Sequence, residues 1–169
     1  MNEFTKKITR AGIIAGLYVV LIFPTVSFAS GMVQFRPSEA LTLLPLFMPE
    51  SIVALAVGCM LANLITGCVL LDIIFGAIIT LCAGVVTYIV GKTVRKRWLK
   101  ILLGGIAPVT FNAFLLPVVW YLAYGQLEVM YIINVVSLLI SQSLSIYLLG
   151  GILFSSERAN KLLSGGYSK

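Results

Sequence analysis

The chain has 169 residues, of which 60% are hydrophobic and only 11% charged, against about 25% charged in an ordinary soluble domain. With a mean hydropathy of +1.06, it has too little polar surface for a soluble fold, and neither a disordered nor a collagen-like chain fits. Histidine is absent and the net charge is +6, which removes histidine catalysis, histidine metal ligation and a histidine pH switch. The expectation is an all-α integral membrane protein, one domain over residues 1–169.

A crossing takes about 20 helical residues for about 30 Å of hydrocarbon. Between Arg10 and Lys92 the only charges are Arg36, Glu39, Glu50 and Asp72, and between Lys100 and Glu157 the only one is Glu128. Proline and glycine breaks divide these stretches into six transmembrane helices, over 7–29, 37–48, 50–66, 70–91, 99–124 and 129–154. A cleaved signal peptide is the rival reading of the first helix. Its apolar run from Ala11 to Ala29 exceeds the usual 7–15 residues of a signal core.

The second helix is too short to cross, about 18 Å at about 1.5 Å per residue. Pro37, Ser38 and Glu39 have the look of a helix start. The segment before it, 31–36, is expected to dip in from the outer face, which requires a surrounding cavity or protein.

Charge placement orients the count. Lys6, Lys7 and Arg10 precede the first helix. Lys92, Arg95, Lys96, Arg97 and Lys100 form a basic loop over 91–100. Arg158, Lys161 and Lys169 follow the sixth helix. Six crossings gather all three groups on one side, the cytoplasm by the positive-inside rule, with both termini there too. Anionic lipid suffices as the partner of the basic loop; no nucleic acid is needed.

The remaining polar residues then gather toward the outer side. Arg36, Glu39, Asp72 and Glu128 are charged, Gln34 and Gln126 are amides, and Asn63, Asn112 and Asn134 interrupt apolar helices. Ionisable groups in a membrane are costly and usually functional. Plainer readings stand beside this one. Glu39 can pair with Arg36, the asparagines can bond helix to helix, and Trp120, Tyr121 and Tyr124 can form an interfacial belt. Glu50 falls on the inner side as a helix-start acid.

Three cysteines, Cys59, Cys68 and Cys82, lie in apolar stretches with no metal or disulfide spacing. No phosphate loop, nucleophile–base pair or metal cluster occurs, so the expectation is no catalytic residue, no metal and no cofactor. Uphill transport would draw on an ion gradient or on a partner. Ala11 with Ala15, and Gly12 with Gly16, make overlapping small-residue pairs on the first helix, fit for close helix approach.

Four motifs resemble the QueT family. They are Val33-Gln34-Phe35-Arg36-Pro37-Ser38-Glu39-Ala40-Leu41-Thr42-Leu43-Leu44-Pro45, Pro49-Glu50-Ser51, Gly58-Cys59-Met60-Leu61-Ala62-Asn63-Leu64, and Leu70-Leu71-Asp72-Ile73-Ile74-Phe75-Gly76. The turn Thr66-Gly67-Cys68-Val69 departs from the proline-containing turn frequent in relatives, and the helix around Asn112 is less polar than theirs. The resemblance implies a substrate-binding (S) component of an energy-coupling-factor (ECF) transporter in a bacterial plasma membrane. It implies a pocket near the outer face, a coupling transmembrane subunit and two cytoplasmic ATPases as partners, and docking through Ala11 and Ala15 with Gly12 and Gly16 beside them. The implied substrate is a queuosine precursor, a 7-deazaguanine with an aminomethyl or cyano group. Glu39 can accept a forked pair from a guanine-like edge, and Asp72 can hold a cationic amine. Asn63 and Asn112 can both donate and accept. Arg36 and Gln34 flank the motif, and Phe35, Trp120 or Tyr121 can stack on the ring. Rival functions are an S component for another planar nutrient such as a vitamin, a stand-alone ion-coupled carrier or small channel, and a ligand-free scaffold.

Overall fold

The computed structural model describes residues 2–25, 35–125 and 128–155, without the side chains of Thr25, Glu128 and Ser155. It is helical throughout. Helix α1 runs Glu3–Ile22, with a 3-10 turn Phe23–Thr25 after it. It begins earlier than expected, from Asn2 with Glu3 in the first turn, where an acid suits the positive end of the helix dipole. Its α-helical part ends at Ile22, where Phe23 keeps right-handed helical backbone and the chain tightens into the 3-10 turn that holds Pro24. Residues 26–29 of the expected first helix lie outside the described residues.

Helix α2, Pro37–Leu46, is a ten-residue 3-10 helix, about 20 Å long at about 2.0 Å per residue. Every residue from Ser38 to Leu46 is buried. The second helix is thus short, as the sequence suggests, but tighter than an α-helix. Helix α3 is Ser51–Ile65, α4 is Leu70–Thr93 and α5 is Arg97–Tyr124. Helix α6 runs from Glu128–Ser143 through a π-helical stretch, Leu144–Gly150, into Gly151–Ser155. Most of the basic segment 91–100 is therefore helical, with only Val94, Arg95 and Lys96 between α4 and α5.

Three helices, Leu70–Thr93, Arg97–Tyr124 and Val129–Phe154, are long and apolar enough to cross a membrane, and Ser51–Ile65 is apolar but shorter. Their outward faces carry large bare side chains, among them Leu70, Leu122 and Ile140 at 69%, 73% and 65% exposure. The interior instead buries Arg36, Glu39, Asn63, Asp72, Asn112 and Gln142. Apolar outside and polar inside is the pattern of a chain whose solvent is lipid.

Helices α1, α3, α4, α5 and α6 pack in that order around α2, which touches all of them. Close approach is arranged by glycine. A Cβ on Gly91 would lie 2.6 Å from the backbone oxygen of Leu46, and one on Gly104 the same distance from Leu46 Cδ2. Pro108, buried inside α5, cannot donate to the carbonyl of Gly104, four residues earlier. Thr87 on α4 donates its hydroxyl to that carbonyl at 2.9 Å, replacing the missing bond as proline-containing membrane helices require.

The helices alternate in direction. At one end Arg10 lies 3.7 Å from Glu50, Phe47 stacks on Phe154 with ring centroids 5.8 Å apart, and the Arg97 guanidinium donates to the Phe154 carbonyl. The start of α1, the α2–α3 junction, the α4–α5 junction and the end of α6 therefore share that end, with the basic residues of the first two groups. Arg158, Lys161 and Lys169 lie outside the described residues.

Gly91→Ala should lower stability by roughly 1–3 kcal/mol, the range for overpacking, because the obstacle is backbone. Gly12→Ala, with nothing within 4 Å of the new Cβ, should leave stability unchanged or slightly raised. Unfolding titrations in mixed micelles read both; equal losses at the two positions would contradict this packing.

Candidate substrate-binding site

Every helix contributes a polar group to one buried cluster. Glu39, on α2, is 3% exposed. Its Oε1 accepts from the Tyr18 hydroxyl of α1 at 2.7 Å, and its Oε2 accepts from Asn112 Nδ2 of α5 at 3.3 Å. Asn112 Nδ2 also lies 3.5 Å from Gln142 Oε1 on α6. Arg36, just before α2, donates Nη1 to Asn63 Oδ1 of α3 at 3.3 Å. Asn63 Nδ2 in turn reaches the backbone oxygen of Asp72 at 3.1 Å. Asp72, in the first turn of α4, accepts from the indole N–H of Trp120 at 2.8 Å. Two glycines seat these side chains. A Cβ on Gly58 would lie 2.9 Å from Tyr18 Cβ, and one on Gly76 would lie 2.9 Å from Asn63 Nδ2.

The cluster is electrostatically unfinished. Among the described residues the ion pairs are Lys6–Glu3 and Arg10–Glu50, so Arg36 and Glu39 do not pair with each other. Both are held by neutral side chains instead. Arg36 Nε and Ser38 Oγ are buried without a hydrogen-bond partner, on either side of the helix start that carries Glu39. A buried polar atom left without a partner costs roughly 1–3 kcal/mol. Such atoms are what a polar ligand would satisfy.

A model of the QueT transporter family matches residues 8–157. The chain belongs to the QueT transporter family. A 64-residue segment is 39% identical to the queuosine precursor transporter QueT of Lactococcus lactis subsp. cremoris (strain MG1363). The match covers 37% of this chain and spans 38% of that relative's length. No solved structure matches the chain. Membership and the three long apolar helices make it a membrane protein of a transporter family.

In this QueT family member, Glu39, Asp72, Asn63, Arg36, Asn112 and Trp120 all enter the cluster, with the contacts given above. Trp120 does so through its N–H, which ties it to Asp72. Phe35 is half-buried beside Arg36. Tyr121 and Tyr124 are 45% and 54% exposed. Gln34 and Gln126 lie outside the described residues, as does the side chain of Glu128. Glu50 sits at the opposite end beside Arg10. Two residues escape a search for charges and asparagines. Tyr18 is a single hydroxyl in an apolar run, and Gln142 sits between Ser141 and Ser143. The Ser-Gln-Ser triplet inside an apolar helix was the available signal.

The small-residue stripe of α1 divides. Ala15 is buried, its carbonyl 3.2 Å from where a Cβ on Gly58 would stand, and Ala11 packs half-buried on the core. Gly12 and Gly16 are exposed with nothing within 4 Å of an added Cβ. Ala15 thus faces its own chain, because α1 must approach α3 closely to bring Tyr18 to Glu39.

Trp120→Phe keeps an aromatic ring but removes the indole N–H that Asp72 accepts, along with part of a buried side chain. Hydrogen bonds to charged groups are worth about 1.5–3 kcal/mol and the cavity adds to this, so a loss of at least that size is expected in micelle unfolding titrations. An unchanged midpoint would contradict the Trp120–Asp72 contact.

Proposed function

We propose that this chain is the S component of an ECF-type importer that captures a queuosine precursor, a 7-deazaguanine such as the aminomethyl base, from outside a bacterial cell. The observation that carries this reading is the incomplete hydrogen bonding of the buried cluster: Glu39 is held by one neutral donor on each oxygen, and Arg36 Nε and Ser38 Oγ have no partner. With both carboxylates ionised, Arg36, Glu39 and Asp72 sum to one negative charge, in a place where net charge is costly. A ligand with one positive charge balances it. The aminomethyl base supplies an alkylammonium, charged at neutral pH as a lysine is.

The residues suit the rest of the molecule. Glu39 accepts the ring N–H and the amino group of the guanine-like edge as a forked pair. Asp72, with Trp120 holding one oxygen, receives the ammonium. Arg36, through its free Nε, donates to a carbonyl or ring nitrogen. Asn63 and Asn112 complete the pairing in the positions that hold Arg36 and Glu39. Phe35 stacks on the ring in this reading, with Gln34 in the adjoining segment. The name of the Lactococcus relative, a queuosine precursor transporter, supports this substrate class.

With the basic residues of α1 and of the α4–α5 junction at one end, the positive-inside rule supports a multi-pass protein with both termini in the cytoplasm. The ligand end then faces out. Energy comes from a coupling transmembrane subunit and two cytoplasmic ATPases; this chain needs no catalytic residue, metal or cofactor of its own. The coupling subunit docks on α1 through the outward glycines Gly12 and Gly16, with Ala11 and Ala15 backing them on the inner face.

A binding panel on the purified protein, aminomethyl and cyano deazaguanines against vitamins, tests the substrate. The deazaguanines should bind and the vitamins should not. Glu39→Gln should abolish binding of the radiolabelled base, because its amide N–H2 confronts the ligand's own donors. Asp72→Asn should weaken the aminomethyl base about tenfold more than the cyano base, since only the former is cationic. Vitamin binding, or wild-type affinity in Glu39→Gln, would sink this reading. Co-purification tests the machinery: a coupling subunit and two ATPases are expected, and gradient-driven uptake without them would favour a stand-alone carrier.

A further inference from the structure

We propose that Tyr18 is a positioning residue that commits Glu39 to ligands presenting two adjacent N–H donors. This rests on the reading that the ligand enters at Glu39. An ionised carboxylate offers about four lone-pair sites, two on each oxygen. Within the protein, Tyr18 fills one on Oε1 at 2.7 Å and Asn112 fills one on Oε2 at 3.3 Å. One site on each oxygen is left for a ligand. A two-pronged donor, as on the guanine edge, satisfies both. A single donor leaves a buried acceptor unpaired, and sites built to bond a group reject analogues lacking it strongly.

Tyr18 is fit to fix this arrangement. It is 0% exposed, and its side chain rests where Gly58 has no Cβ, so the hydroxyl has little room to move. Asn112 is steadied in turn by Gln142 at 3.5 Å. Held at both oxygens, the carboxylate cannot turn about its terminal bond. Without the tyrosine hydroxyl it can rotate to accommodate a single donor. Tyr18 does this without touching the ligand.

The test compares two bases by calorimetry on the full-length protein in lipid nanodiscs. One is 7-aminomethyl-7-deazaguanine; the other is the same base without its 2-amino group. The wild type should prefer the first about a hundredfold or more. Tyr18→Phe keeps the ring over Gly58. It should lose about tenfold or more on the first base and much less on the second, so the preference shrinks. Equal losses on both bases, or none, would overturn the role of Tyr18, since a merely structural defect does not change the ratio. Gln142→Met, which frees Asn112, is the second variant should Tyr18→Phe fail to fold. It too should narrow the preference, and an unchanged ratio overturns the proposal. A wild type that binds neither base overturns the substrate reading and this inference together, whereas binding with an unaltered ratio in the variants overturns this inference alone.

Discussion

Glu39 stands on a helix that has no face toward lipid. Helix α2 is enclosed by five others, and a carboxylate in its first turn must find its donors among them. Those donors are the Tyr18 hydroxyl from α1 and the Asn112 amide from α5. To deliver them, α1 closes on α3 at Gly58, and α4 and α5 close on the end of α2 at Gly91 and Gly104. The packing and the polar cluster are therefore one design. Moving α2 by an ångström would strand the carboxylate, and losing the carboxylate's partners would remove the reason for the close approaches.

The cluster has the character of a receptor awaiting a guest. Its cation and its anions are kept apart by neutral amides, a phenol and an indole, where a structural ion pair would have brought them together. Arg36 reaches Asn63 and not Glu39, and atoms of Arg36 and Ser38 remain buried without partners. Unpaired charge in a membrane is expensive. A protein retains it where a ligand of complementary charge and hydrogen-bonding pattern relieves it, and a small cationic, guanine-like base fits both requirements.

Much of this was legible in the sequence because charge is so scarce there. Arg36, Glu39 and Asp72 stood out against apolar runs, and Asn63 and Asn112 stood out among leucines and alanines; all five meet in space. The break positions located the helices, although helical geometry extended further into the basic segment than its charge suggested, since Lys and Arg are themselves good helix formers. Other features were not legible. The tight 3-10 winding of α2 depends on how five neighbours press on it. Nor was the π-helical stretch of α6 legible, along which a Cβ on Gly105 would meet the Tyr147 ring and one on Gly150 the Ala40 carbonyl. Tyr18 resembled any aromatic in an apolar helix until Glu39 was seen beside its hydroxyl. The stripe of α1 gave periodicity but no sense of which face was in use; Gly58 decided that Ala15 turns inward.

The most direct measurement is an experimental structure of the protein with 7-aminomethyl-7-deazaguanine bound. The account predicts the guanine-like edge within hydrogen-bond distance of both Glu39 oxygens, the ammonium against Asp72, and Tyr18 still bonded to Glu39. A base held elsewhere, with the Glu39 carboxylate contacting only Tyr18 and Asn112, would contradict it.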